Sequence, residues 1–139
     1  MKTGQWNILH ETVRLFYAET PEEITGPYHA RQVASWVQQF RGTDLQVAVA
    51  WLHHVAEDPK KAKVVLHGLN LTFSEVHLIK QMARREESPQ EYIDRVWCHG
   101  VLRKVILCDA IAEISDKLGQ SDDLRIQRAA FVEHLRTVP

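Results

Sequence analysis

The sequence predicts an all-α domain, and three observations lead to this prediction. Apolar residues recur three and four positions apart along most of the chain, which is the spacing of helices that bury one face. No segment sustains the alternation of apolar and polar residues that is typical of a strand. Helix start and stop signals divide the chain into about six or seven helical segments, which we expect to pack as a bundle. We expect the 139 residues, 45% of them hydrophobic, to form a single domain over 1–139.

Two helices are predicted before the central one. Residues 5–19 carry apolar side chains at helical spacing and form the first. The loop over 20–28 contains two prolines and a glycine, and it delivers His29 to the start of the second. That second helix presents an apolar stripe and stops near Gly42.

The third predicted helix begins at Asp44, and we expect it at the centre of the bundle. It is apolar through Leu52, which is the composition of a buried helix. Pro59 ends it, because a proline disfavours helical geometry in the residue before it.

The second half of the chain supplies the remaining helices. A short helical pattern covers 60–70. Thr72–Glu75 and Ser88–Glu91 both fit the capping box, in which a hydroxyl caps the third amide and a glutamate returns the bond, so a helix starts at each. Two further helices are predicted over 101–118 and 121–138.

Two imidazoles and two carboxylates occupy six residues at the end of the third helix. If that helix is continuous, His53 shares a face with Glu57, and His54 shares a face with Asp58. Buried imidazoles and carboxylates are unfavourable unless they are paired or bound to a cation, so the stretch indicates a metal or acid–base site. The alternative is a helix end whose polar side chains meet water. Asp109 interrupts the apolar run of the helix over 101–118, and we expect it near His53 for the same reason.

The amino-acid composition limits which classes of binding partner we expect. The net charge of −1 gives no general attraction to nucleic acid or to an anionic membrane, so we expect neither as a partner. An anionic substrate would have to be bound by a local group of cationic side chains rather than by the net charge of the protein. The two cysteines, Cys98 and Cys108, form no metal-binding or redox motif and receive no role. The sequence shows neither a signal peptide nor a long apolar span, and a cytoplasmic location is expected.

Three motifs in chain order resemble those of the HD-domain metal-dependent phosphohydrolases. They are Tyr28–His29, His53–Asp58 and Val105–Asp109. The resemblance is closest to the hydrolase domains of the RelA/SpoT alarmone enzymes and their small stand-alone relatives, whose pattern is Pro-Tyr-x-His, Leu-His-Asp-x-x-Glu-Asp and Lys-Leu-Ala-Asp. The connector Met82–Val96 also resembles that of the small relatives, so the resemblance covers about residues 26–118. It implies a helical bundle like that of the HD domain.

The resemblance also implies a metal site at His29, His53, His54 and Asp109. The family has an aspartate where this chain has His54, so the HD dipeptide is replaced by HH. Three nitrogens and one carboxylate favour zinc, iron, cobalt or nickel, while manganese is also compatible.

The remaining site residues come from the same resemblance. It implies that Glu57 and Asp58 position or deprotonate the attacking water. It also implies phosphate contacts for Arg84 and Arg85, although cations at the end of a helix have a structural explanation as well. The family's asparagine after the last aspartate is replaced by Glu113, and its basic residues before Pro-Tyr are absent.

Two functions follow from these observations. The first is a metal-dependent phosphohydrolase acting on a nucleotide or a related phosphate or pyrophosphate ester, and the retention of both Glu57 and Asp58 favours it. The alternative is a degenerate, non-catalytic HD domain that binds a nucleotide or a protein partner, which His54 and Glu113 favour. A helical domain whose matches are fortuitous is the third interpretation.

Overall fold

A computed structural model describes residues 27–69, 71–116 and 122–139. These residues form seven α-helices and one short 3₁₀-helix, with no strand among them, which confirms the all-α prediction. The helices are α1 (Pro27–Gln39), α2 (Asp44–Leu52), α3 (Pro59–Gly68), α4 (Phe73–Gln81), α5 (Pro89–Trp97), α6 (Gly100–Asp116) and α7 (Asp122–Leu135); the 3₁₀-helix is Val55–Glu57. The helix predicted over 5–19 lies outside the described residues. None of the described helices combines the length and apolarity needed to cross a membrane.

Side-chain caps set the starts of three helices. The capping boxes predicted at Thr72–Glu75 and Ser88–Glu91 are both present, and they begin α4 and α5. A third box at Thr43–Gln46 begins α2, so that Asp44 is its first residue, as expected. Each box satisfies amides that a helix start would otherwise leave unpaired.

The α2 helix is central, as predicted. Its residues Gln46–Ala50 are all buried, and so is Leu52. It packs against α1, α4 and α6, and α6 in turn packs against α5 and α7. Apolar side chains of α1, α2 and α6 meet at the centre of the core, where full burial of one large apolar side chain stabilises the fold by about 1.5–3 kcal/mol. These same three helices lead to the polar cluster described below.

The third predicted helix ends earlier than expected. Its regular α-helical hydrogen bonds stop with His53 N–H, which donates to the carbonyl of Val49 (2.9 Å). The next residues tighten into the 3₁₀-helix, and Asp58 is extended, with φ −105° and ψ 107°. The physical reason is Pro59, which excludes helical geometry at Asp58 and leaves too few residues for another α-helical turn. The helix is therefore not continuous, and the predicted pairings of His53 with Glu57 and of His54 with Asp58 on one helix face are wrong in their geometry.

Candidate metal centre

Four side chains from three segments converge at one end of the bundle. His29 lies in the first turn of α1, His53 and His54 follow α2, and Asp109 lies within α6. One possible ligand atom from each residue lies within 4.8 Å of the others. The expected proximity of Asp109 to His53 is thus confirmed across 56 residues of sequence. We call these four residues the metal cluster, and their binding of a metal stays a prediction.

Asp109 is the anionic member of the metal cluster. Its Oδ1 accepts a hydrogen bond from Nε2 of His29 at 2.6 Å. Burial alone would raise the pKa of Asp109, but this hydrogen bond and the charges of His53, His29 and His54 outweigh burial and hold the pKa at about 2. Asp109 is therefore a carboxylate at neutral pH, and His29 must be the donor in the pair.

The backbone fixes the orientation and tautomer of His53. Nδ1 lies 2.9 Å from the carbonyl oxygen of Ala50, to which it donates. Nε2 therefore carries the lone pair in the neutral ring, and this atom is buried with no hydrogen-bond partner among the described residues. Burial, joined by the charge of His54, lowers the pKa of His53 to about 4. A neutral imidazole with an unpartnered buried nitrogen is the form that ligates a metal.

His54 lies between the metal cluster and Glu57. Its ring centroid is 4.0 Å from that of His53 and 5.3 Å from that of His29. Neither ring nitrogen makes a hydrogen bond with a described residue. Nδ1 is nevertheless 3.4 Å from Oε1 of Glu57, which is an electrostatic contact without hydrogen-bond alignment. His54, which stands where the resemblance would place an aspartate, therefore brings a possible donor atom to the metal cluster.

The four donor residues could hold a metal ion. Two ligands each about 2.1 Å from a tetrahedral ion are roughly 3.4 Å apart. Separations in the metal cluster extend up to 4.8 Å, while His29 Nε2 and Asp109 Oδ1 are 2.6 Å apart. A metal ion held by these four residues would therefore have to replace that hydrogen bond and draw the other donors closer together by about an ångström. In return it would satisfy Nε2 of His53 and one ring nitrogen of His54, and each buried polar atom left without a partner costs about 1–3 kcal/mol.

The side chains of Glu57 and Asp58 make different contacts in the structure. Oε1 of Glu57 touches His54 and accepts a long hydrogen bond, 3.5 Å, from the backbone N–H of Arg84. Burial would raise the pKa of Glu57, but the contact with His54 more than compensates and lowers it. Oδ1 of Asp58 accepts the backbone N–H of Lys60 at 3.1 Å, so Asp58 caps the start of α3. Glu57 is thus beside the metal cluster, while this bond of Asp58 is structural and its catalytic role stays a prediction.

Arg84 and Arg85 border a cavity of about 640 Å³. Glu57 also lines this cavity, whereas none of the four metal-cluster residues does. The Arg84 guanidinium lies 3.6 Å from Glu113 and 5.0 Å from the centre of the Tyr92 ring. Glu113 is therefore the carboxylate that pairs with Arg84, one of the two arginines predicted to contact phosphate. The cavity and the metal cluster meet at Glu57.

Sequence reasoning missed a second polar cluster, which we call the Arg95 clamp and define as Glu87, Tyr92 and Arg95. Arg95 donates to both oxygens of Glu87, at 2.6 and 3.1 Å. It also donates to the carbonyls of Gln81 (2.6 Å) and Ala83 (2.9 Å), and Tyr92 O–H donates to that of Met82 (2.9 Å). The clamp fixes the segment that carries Arg84. The pairing of Glu87 with Arg95 was not predictable from the sequence, because residues eight apart are not the neighbours that helical spacing of three or four would indicate.

The sequence-predicted residues thus fall into three groups. His29, His53, His54 and Asp109 come together as a set that could hold a metal ion. Glu57 adjoins this set, and it shares a cavity with Arg84 and Arg85. Asp58 is engaged at the start of α3. The chain matches no family model, no curated protein and no solved structure.

Proposed function

We propose that this protein is a metal-dependent phosphohydrolase that acts on a nucleotide or a related phosphate or pyrophosphate ester. The observation that carries the proposal is the convergence of three imidazoles and one buried carboxylate, in which nitrogens of His53 and His54 have no hydrogen-bond partner among the described residues. A fold leaves such atoms unsatisfied at a cost, and a cation removes that cost. The motif resemblance agrees with this chemistry.

Glu57 is the residue best placed to act on water. It is ionised at neutral pH, because its pKa is lowered, and it stands where the metal cluster meets the cavity. A bound divalent cation supplies a Lewis acid that lowers the pKa of water and offsets negative charge on the phosphate. Since a carboxylate with a lowered pKa is a weak base, the role of Glu57 is to orient the attacking water by accepting a hydrogen bond from it. Asp58 positions Glu57 by anchoring the chain at the start of α3.

The cavity wall favours a phosphate over a neutral substrate. Arg84 and Arg85 stand on that wall together with Glu57. A guanidinium donates two parallel hydrogen bonds to phosphate oxygens, which both binds and orients the ester. The pairing of Arg84 with Glu113 keeps its guanidinium in place, and both side chains are about half exposed, so a stronger anion can compete for the arginine.

The donor set also bears on which metal is bound. Three nitrogens and one carboxylate make a softer site than the two-carboxylate set of the family pattern. We therefore assign zinc, iron, cobalt or nickel as the preferred ions. Manganese, which prefers oxygen ligands, binds more weakly.

A substitution series at His54 tests the proposal. His54→Ala should lower the amount of bound zinc and abolish hydrolysis, because it removes one of four donors. His54→Asp should shift the preference toward manganese by restoring a hard, charged ligand. Each protein is equilibrated with zinc and with manganese, bound metal is measured by elemental analysis, and hydrolysis of nucleotides and of a generic phosphodiester is assayed.

The matched control is His134→Ala, which removes an exposed histidine at the end of α7 and should change neither property. If the native protein, His54→Ala and His54→Asp all bind no metal and hydrolyse nothing, the proposal is wrong. Metal bound only by His54→Asp, with nucleotide binding but no hydrolysis by the native protein, would instead establish the non-catalytic alternative.

A further inference from the structure

Two histidines from different segments meet on the surface of the bundle, outside the metal cluster. His77 is exposed on α4, and His99 is half-buried between the end of α5 and the start of α6. Their ring centroids are 6.2 Å apart, and the ring planes are nearly perpendicular, at 73°. Since these residues are too far apart in sequence to be neighbours on one helix, only the fold brings their side chains together.

The ring nitrogens of this pair are not engaged by other described side chains. The imidazole hydrogen bonds in the described part of the chain are those of His29 and His53. No ion pair among the same residues includes His77 or His99. An edge-to-face contact accounts for the proximity of the two rings, but it does not use the lone pair that each neutral imidazole carries on one nitrogen. Each ring therefore keeps a donor atom for a metal ion.

The separation of the rings is close to that of two ligands on one ion. An imidazole nitrogen binds zinc at about 2.1 Å, and the ring centroid lies about 1 Å beyond it, so two rings on one tetrahedral ion have centroids about 5 Å apart. The observed 6.2 Å has to shorten by about an ångström. Because His77 is exposed, its side chain can turn toward His99 without displacing the core.

We propose that His77 and His99 form a second metal site, which takes a divalent zinc, nickel or copper ion, the ions that imidazole ligands suit. Water fills the remaining coordination positions, because His77 is open to solvent. With two protein donors instead of four, this site binds an ion more weakly than the metal cluster would, and it does not depend on hydrolysis. The ion links α4, which packs against α2 and the 3₁₀-helix, to the corner that leads into α6.

Nickel binding to the full chain tests the inference. Bound nickel is measured by equilibrium dialysis and elemental analysis over a range of free nickel concentrations. His77→Phe keeps a ring but removes its nitrogens, so it should weaken this site by about 100-fold or more, since a chelating pair becomes a single ligand. His99→Phe should have the same effect. The double variant should also lose no more than one ion, because both side chains bind the same one.

The control is His134→Phe at another exposed histidine, which should bind nickel as the native protein does. The comparison is repeated with Asp109→Asn, which disables the metal cluster, and His77→Phe should cause the same loss there. Thermal unfolding without metal verifies that each variant is folded. Added nickel should raise the unfolding temperature of Asp109→Asn more than that of Asp109→Asn/His77→Phe. Native nickel binding by His77→Phe would overturn the inference, and so would an equal loss in His134→Phe.

Discussion

The metal cluster and the Arg95 clamp are both polar clusters inside a helical protein, but they differ in whether their atoms have partners. In the clamp, Arg95 reaches two backbone carbonyls and both oxygens of Glu87. In the metal cluster, Nε2 of His53 and both ring nitrogens of His54 have no hydrogen-bond partner among the described residues. The polar groups of the clamp are paired with one another and with the backbone, whereas the metal cluster contains ring nitrogens that no described residue pairs.

This difference separates a structural cluster from a candidate binding site. Buried polar groups are nearly always hydrogen-bonded in folded proteins, so several unpartnered ones at one place require an explanation. A ligand is the simplest one when the atoms are metal donors that surround a common point. The exposed fractions of the side chains agree, since His29 (18%) is more open to solvent than Asp109 (5%) and provides a side from which an ion can enter.

The largest expected effect comes from removing the charge of the metal cluster. Asp109→Asn replaces the one carboxylate among the four donors by a neutral amide, which is a poor metal ligand. Residues that merely support metal ligands change affinity by about 10–100-fold when replaced, so the loss here should exceed ~100-fold. Competition between the protein and a zinc chelator measures it. Glu113→Gln, one turn further along α6 and half exposed, is the control and should retain zinc. Unchanged zinc binding by Asp109→Asn would remove the distinction between the clusters.

A smaller effect is expected from acid on the metal-free protein. The pKa of His53 falls from 6.5 to about 4 on folding, because the ring is buried next to His54. Between these pH values the unfolded chain binds a proton that the folded protein excludes, so the free energy of unfolding decreases as the pH falls. The decrease is about 3 kcal/mol in all. Asp109 acts in the same direction between its ordinary pKa of 3.8 and about 2.

Urea unfolding from pH 7 to pH 4 in the presence of a chelator measures this dependence. His53→Leu should flatten the curve, while His134→Leu, at an exposed position, should reproduce the native slope. An identical slope for the native protein and His53→Leu would show that His53 is protonated in the fold.

The smallest of the three effects concerns the Arg95 clamp. Arg95→Met removes the donors to the carbonyls of Gln81 and Ala83 and should lower the free energy of unfolding by about 2 kcal/mol, at about 1 kcal/mol for each net hydrogen bond. Zinc affinity should not change. Arg136→Met, which breaks an exposed pair with Glu133, should cost less than about 0.5 kcal/mol. Loss of zinc from Arg95→Met would mean that the two clusters are coupled.

Local signals in the sequence predicted the helices well. The hydroxyl and glutamate of each capping box lie three residues apart, so their bond is visible without knowledge of the fold, and both predicted boxes are present. α5 ends at Trp97, and α6 begins at Gly100. A Cβ at this glycine would meet no atom within 4 Å, so no close contact requires it.

Tertiary features were predicted only where burial demands a partner. Asp109 in an apolar helix and His53 after another had to meet, because neither is tolerable alone in a core. The cavity along α3 and α4 was not predictable, since its wall forms where separate segments pack and the sequence carries no local signal of that packing. The end of α2 at Leu52 was missed because Pro59 affects hydrogen bonding several residues before it. These failures concern how segments meet and where one helix ends, rather than which segments form.

The hydrogen bond from His53 to the carbonyl of Ala50 affects how the protein tolerates mutation. The last carbonyls of a helix have no partner within it, and this one is satisfied by the imidazole. Because the acceptor belongs to the main chain, replacing the side chain at position 50 does not delete it. A point mutation at position 50 therefore leaves the orientation of His53 unchanged. A histidine oriented by a side-chain carboxylate would lose its acceptor when that residue is replaced. To remove this acceptor, a substitution must bend or shorten α2. A proline in the last turn of α2 would do so.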